Sequence, residues 1–213
     1  VLSCANYPLP DHLINIGGQA VDNLHSSKLT QNAPLGSNIM QVVSTSGFNE
    51  GDAIIIRMYN AQPDDSLSRE LVYPLEPETW TNFARWDPFR LVVEVESIID
   101  GTTLQIKQKL PREIKTEYNA DIRRYTTQVA GVGVEHLRIL GAFQGPFQHH
   151  ASDAMNYGWG GIKLSGARDS WIDDVVVVDM VLDFTVSSTF NLTLNNLGIP
   201  GDGGGHHGIT LAS

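Results

Sequence analysis

Three segments in the second half of the chain share one pattern of apolar, two polar residues, apolar, any residue, apolar. They are Val134-Glu135-His136-Leu137-Arg138-Ile139, Ile172-Asp173-Asp174-Val175-Val176-Val177 and Leu194-Asn195-Asn196-Leu197-Gly198-Ile199. A shorter motif, apolar–polar–apolar, is interleaved with them as Ile162-Lys163-Leu164, Phe184-Thr185-Val186 and Ile209-Thr210-Leu211. The short motif recurs after 22 and 25 residues, the long one after 38 and 22. The spacing of 38 is one period of 22 with an insertion of about 16 residues, which the Gly-, Pro- and His-rich stretch 141–159 supplies. Self-similarity at such a period is the signature of a repeat architecture and constrains the fold more than any local propensity.

The physics of one unit follows from its pattern. Apolar–any–apolar is a short strand that buries one face. The two polar residues mark a corner, and Asp and Asn suit it because they tolerate the left-handed region and bond to nearby backbone. A unit of this size cannot bury its inner face alone. Stacking does so, with each strand pairing in parallel with its equivalent one turn away. That is a parallel β-helix. A leucine-rich repeat would need a consistent Leu ladder and a helical or extended return segment, and neither is visible. No ten-residue helical pattern occurs in 130–213.

The first half carries different signals. Residues 1–34 are rich in Pro, Gly, Asn and Ser without a clear period and read as an irregular leader or cap. Segments 39–43, 53–58, 91–99 and 103–106 read as strands, with Gly51-Asp52 as a turn into the second. Asp100-Gly101 predicts a type I′ hairpin, in which both central residues take positive φ. The excursion 60–90 carries Trp80, Phe83, Trp86 and Phe89 beside Arg85 and Arg90. The expected organisation is a leader at 1–34, an antiparallel β elaboration at 35–125, and parallel β-helix coils at 126–213, cut short at the C-terminal end. The charged tract 113–124 joins the last two.

Composition narrows the function. The formal net charge is −10, with 14 Lys and Arg against 24 Asp and Glu, which argues against nucleic acid or an anionic membrane surface as partner. No run of 18 apolar residues exists, so no membrane insertion is expected. The single cysteine, Cys4, excludes an internal disulfide framework and a Cys-rich zinc site. Residues from Val1 onward show no basic segment followed by an apolar one, so any targeting peptide is expected to be absent or already removed. No P-loop, Rossmann turn or EF-hand is present. No cofactor is expected; Ca2+ is left open, but no motif indicates it.

The final segment, His206-His207-Gly208-Ile209-Thr210-Leu211-Ala212-Ser213, resembles the Gly-His-Gly-Ile-Ser-Ile-Gly-Ser segment of polygalacturonase-like glycoside hydrolases, with His207 on the family histidine. These belong to the pectin-lyase-like right-handed parallel β-helix superfamily, and the likeness covers about 130–213. It implies an all-β, right-handed single-stranded parallel β-helix with an antiparallel insertion in the N-terminal half. The family's Asn-Thr-Asp-Gly acid falls on Gly160, and its Asp-Asp pair falls on Val181 and Leu182, with Asp183 one position away. Inverting glycosidases need two carboxyls roughly 6.5–9.5 Å apart. The resemblance therefore carries the scaffold and a habit of binding extended polysaccharide, and disfavours the polygalacturonase mechanism.

The candidate residues follow from this frame. His207 and His149 are candidate bases because imidazole exchanges protons near neutrality, with Asp183 as partner carboxylate. Lys163, Thr185 and Thr210 occupy equivalent strand positions and form one outward column; Asp183 joins Gly161 and Gly208 in the neighbouring outward column. Arg168 is placed to neutralise a uronate, with Trp171 and Trp86 available to stack on sugar rings. Against each stands a plain reading: a solvated loop for His149, a coil corner for His207, an ordinary polar sheet face for the columns, an Arg168–Asp169 pair, and a small satellite core for the aromatic cluster. Asp173-Asp174 matches Glu135-His136 and Asn195-Asn196 and reads as structural.

The expected partner is a polysaccharide, with further chain or another protein covering the open C-terminal coil. The expected setting is secreted, periplasmic or cell-surface. Two functions remain: a glycosidase or lyase acting on an extended polysaccharide, or a non-catalytic structural or adhesive module of a surface assembly.

Overall fold

The computed structural model describes residues 2–3, 12–17, 25–60, 66–72, 89–126, 129–141, 143, 146–148, 151–152, 155, 159–200 and 207–212. The chain divides into two compact units, one from Val1–Ala20 with Thr127–Ser213 and the other from Val21–Thr126. In both, most of the regular secondary structure is β-strand. Among the described residues no helix is long and apolar enough to cross a membrane.

In the first unit the chain alternates between two all-parallel sheets. The first contains β1 (Leu2–Ser3), β10 (Gly133–Leu140), β12 (Ala167–Val178) and β14 (Phe190–Gly198), with the short β9 (Val129–Ala130) beside β12. The second contains β2 (His12–Gly17), β11 (Gly160–Ser165), β13 (Leu182–Ser187) and β15 (His207–Ala212). One strand from each sheet makes a rung. The repeat sets the register: Val134 pairs with Ile172 and Ile172 with Leu194, while Ile162 pairs with Phe184 and Phe184 with Ile209. The inward ladder forms a core of Ile139, Ile162, Ile172, Val175, Val177 and Phe184.

The polar pairs are corners, as the pattern predicts. His136, Asp174 and Asn196 occupy equivalent positions with φ of 51, 52 and 48 degrees. Left-handed backbone is costly for most residues, and side-chain ladders help hold it here. Asn196 Nδ2 donates to Asp174 Oδ1 at 2.7 Å, and His136 Nδ1 lies 2.8 Å from Asp174 Oδ2.

One correction concerns the leader. Residues 12–17 are not irregular: they form β2, parallel to β11, with Ile14 opposite Ile162 and Ile16 opposite Leu164. The period is hidden because the whole second unit is inserted between β2 and the next rung.

Along one inward column Ile162 and Phe184 are fully buried while Ile209 is 47% exposed, and in the next Val186 is 4% exposed against 71% for Leu211.

The second unit is a six-stranded antiparallel sheet in the order β3 (Ser26–Lys28), β8 (Asp121–Tyr125), β5 (Ala53–Met58), β6 (Phe89–Ile98), β7 (Thr103–Ile106) and β4 (Ile39–Gln41). Its ends meet. Leu29 bridges Val42, the Thr30 N–H donates to Gln41 O at 3.0 Å, and the Val43 N–H donates to Lys28 O at 2.9 Å. The sheet is therefore a closed barrel, which removes free edges. Met40, Ile54, Ile56, Val93, Leu104 and Ile122 fill it.

The unit starts earlier than position 35, since β3 belongs to it. The hairpin at Asp100-Gly101 is present, but neither residue takes positive φ, so the turn is not type I′. Four residues separate the strands, and the Asp100 carboxylate shapes the turn by accepting from the Thr102 N–H at 2.7 Å. These hydrogen bonds also hold its pKa below the usual carboxylate value.

Within the 60–90 excursion lies the helix α1 (Ser66–Val72), whose buried Leu67 joins the barrel core. Asn60 Oδ1 accepts from the Leu67 N–H at 2.8 Å, and Glu70 accepts from Lys115 and Tyr118, each at 2.8 Å. Trp80, Phe83 and Trp86 lie outside the described residues.

Candidate functional site

The outer face of the first parallel sheet carries three polar columns, set by the same register that stacks the core. Gly133, Trp171 and Thr193 form one; Glu135, Asp173 and Asn195 form another. Asp169 and Asn191 lie at the preceding corner, with φ of 50 and 52 degrees. Glycine is required at 133: a Cβ there would lie 2.1 Å from Trp171 Cε2. The indole lies over that space and its Nε1–H donates to the Glu135 carboxylate. By leaning toward β10, the ring leaves Thr193 uncovered on β14.

The result is a groove of about 470 Å3, lined by Glu135, Asp169, Ser170, Trp171, Asp173, Asn191, Thr193 and Asn195. Its polar groups are held in place. Asn191 Nδ2 donates to Asp169 Oδ1 at 2.7 Å and Asn195 Nδ2 to Asp173 Oδ1 at 2.8 Å. Arg168 Nε donates to Asp169 Oδ2 at 2.8 Å. An amphipathic ring beside ordered carboxylates, amides and a hydroxyl suits a hydroxyl-rich ligand with an apolar face. Among the described residues no cluster of His, Cys, Asp and Glu has metal-binding geometry.

The second sheet carries the column read from the sequence. Lys163 pairs with Thr185 and Thr185 with Thr210. His12, which the sequence did not single out, lies 2.8 Å from Thr185 Oγ1 through Nε2. Thr210 Oγ1 is buried with no hydrogen-bond partner among the described residues.

Asp183 departs from expectation. It is 4% exposed and so is not in an outward column. Strict alternation fails here because Asp183 and Phe184 are both buried in succession. A Cβ on the paired Gly161 would meet the core atom Val177 Cγ1 at 2.9 Å, whereas one on Gly160 would meet the His12 ring at 2.8 Å. The strand bends, and Asp183 turns toward the interior. Burial, with the neighbouring Asp179 charge, pushes its carboxyl pKa up to about 7. That value suits proton transfer, but geometry comes first: a buried carboxyl does not reach a ligand on the outer face.

His207 begins β15 opposite Leu182, and its side chain is outside the description. His149 and Trp86 lie outside the described residues. Arg168 pairs with Asp169 through its Nε. The groove residues Glu135, Asp173, Asn191, Thr193 and Asn195 are not among the sequence candidates because their motif reads first as a corner. The signal was available: the spacings of 38 and 22 that align the apolar positions also align Glu135, Asp173 and Asn195. Asp174 holds the corner, while Asp173 faces the groove.

No family model and no curated protein matches the sequence. Solved structures do match. The tailspike protein gp49 of Pseudomonas phage LKA1 superposes with a TM-score of 0.58 and 17% identity over 94% of this chain and 28% of its own. The tailspike gp61 of Pseudomonas phage phi297 gives 0.52 and 13% over 95% and 35%. The chain thus spans about a third of their lengths, and at such identity the likeness is one of fold: this chain shares its architecture with part of two phage tailspike proteins.

Proposed function

We propose that the first unit is a right-handed parallel β-helix of the pectin-lyase-like kind, and that the chain is the polysaccharide-binding part of a tailspike-type protein acting at a bacterial surface. The groove on the outer face of the β10–β12–β14 sheet carries this reading. Trp171 offers a ring face, Thr193 a hydroxyl, and the two Asp–Asn ladders fixed polar groups along a track that crosses successive rungs. Fold likeness to two tailspikes supports the setting. The adhesive role needs no chemistry beyond these contacts.

The test is calorimetric titration with bacterial surface and plant polysaccharides. A binding glycan is expected to lose about 30-fold in affinity on Trp171→Ala, the scale of a buried aromatic anchor. Binding that is indifferent to Trp171 would remove the groove from the account.

A depolymerising role has one specific observation behind it. Glu135 and Asp173 are register partners on adjacent strands, which lie about 4.8 Å apart. Retaining glycosidases place their two carboxyls about 5–5.5 Å apart. If the pair is catalytic, Glu135→Gln will abolish release of new reducing ends while binding persists. A rate unchanged by Glu135→Gln would place the chemistry elsewhere, and no release of reducing ends by the wild type would leave adhesion as the role.

A further inference from the structure

We infer that the groove selects a glycan free of carboxylate, sulfate and phosphate groups and rejects uronate polymers; this rests on the saccharide-binding reading above. The lining holds three acids, Glu135, Asp169 and Asp173, and no Lys, Arg or His. The adjacent guanidinium, Arg168, donates its Nε to Asp169 Oδ2.

The hydrogen-bond inventory points the same way. Ionised carboxylates only accept. Each lining Asn has one of its two Nδ2 N–H donors engaged by an Asp, at 2.7 Å for Asn191 and 2.8 Å for Asn195. The Trp171 N–H is likewise committed to Glu135. What the groove still offers is one N–H on each Asn, the Thr193 hydroxyl, and a larger set of acceptors that includes every ionised oxygen left: the Asn Oδ1 atoms, the second oxygen of Asp173 and Oε2 of Glu135. A partner that supplies donors matches it. Sugar hydroxyls, an N-acetyl N–H or an ammonium group do so, and a uronate carboxylate does not. Two like charges brought within about 5 Å near a protein surface repel enough to cost on the order of tenfold in affinity per contact.

The experiment is affinity electrophoresis and calorimetry of the intact chain against a neutral set (dextran, galactomannan, chitin oligosaccharides) and a uronate set (polygalacturonate, alginate, hyaluronan), in about 20 mM and about 500 mM salt. Trp171-dependent binding is expected only in the neutral set. The double variant Glu135→Gln/Asp173→Asn, which keeps an amide oxygen for the Trp171 N–H, is expected to raise affinity for uronate polymers at least tenfold, most clearly at low salt. Uronate binding by the wild type that Trp171→Ala removes would overturn the selectivity while sparing the saccharide groove. Absence of Trp171-dependent binding in both sets would overturn the groove itself, and the selectivity with it.

Discussion

Replacing Asp183 by Asn will stabilise the protein at pH 8 by about 2 kcal/mol or more, the full shift being reduced by solvent screening, and leave its stability at pH 4 almost unchanged. The side chain is 4% exposed, and among the described residues no cation or hydrogen-bond donor faces it; the nearby charge is another acid, Asp179. Burial therefore raises its pKa from an ordinary 3.8 to about 7. The native state holds the proton more tightly than the unfolded chain does. Below pH 4 both states are protonated and the group costs nothing. As pH rises toward 7 the unfolded chain ionises freely while the folded one resists, so stability falls through that window and flattens above it. Asn resembles the neutral acid in size and never ionises, so the fall disappears. Urea titrations of both proteins at pH 4, 6 and 8 read this directly. A difference independent of pH, or an Asn variant weaker at pH 8, would show that the carboxylate is satisfied in the folded state.

That prediction also marks where sequence reading stopped. The inward columns were legible because a strand alternates faces, so two sets of apolar positions at matched spacing had to stack, and Ile162, Phe184 and Ile209 do. Asp183 was misplaced by the same rule. Alternation holds from Phe184 to Ser187 and breaks between Asp183 and Phe184 at a bend, and no residue type at 183 announces a bend when its neighbours are Gly161 and Gly208 rather than Asp or Asn. β2 was invisible for a different reason: repeats are found by period, and an entire barrel separates it from β11. Barrel closure was likewise hidden, because it depends on the pairing of Leu29 with Val42 at the ends of two strands of three residues each, too short to carry a pattern. The groove lay between these cases. Its columns obey the period, but side-chain direction at Trp171 depends on the absence of a Cβ at Gly133, a fact about the adjacent rung.

In the barrel, Asp121→Ala will cost about 3–5 kcal/mol, while the paired change Arg57→Met/Asp121→Leu will cost about 1 kcal/mol or less. Arg57 and Asp121 are register partners on β5 and β8 and meet through two parallel bonds, Nε to Oδ1 at 2.8 Å and Nη2 to Oδ2 at 2.6 Å. Their side chains are only 12% and 7% exposed. Removing the carboxylate takes two bonds from a guanidinium shielded from water, which also lies 5.4 Å from the Tyr59 ring centroid, and takes the counter-charge that Arg123 approaches at 3.5 Å. Removing both charges leaves no such debt, and apolar side chains of similar volume recover packing. The Lys107–Glu94 pair, whose lysine side chain is 52% exposed, is the milder case: Lys107→Ala is expected to change stability by less than about 1 kcal/mol. Equal losses from Asp121→Ala and from the double variant, measured by urea titration, would mean the ion pair contributes net energy. The expected inequality means instead that the pair fixes register. A slip of β8 by one residue would carry the fully buried Ile122 out of the core and break both bonds at once, so the wrong alignment is penalised twice.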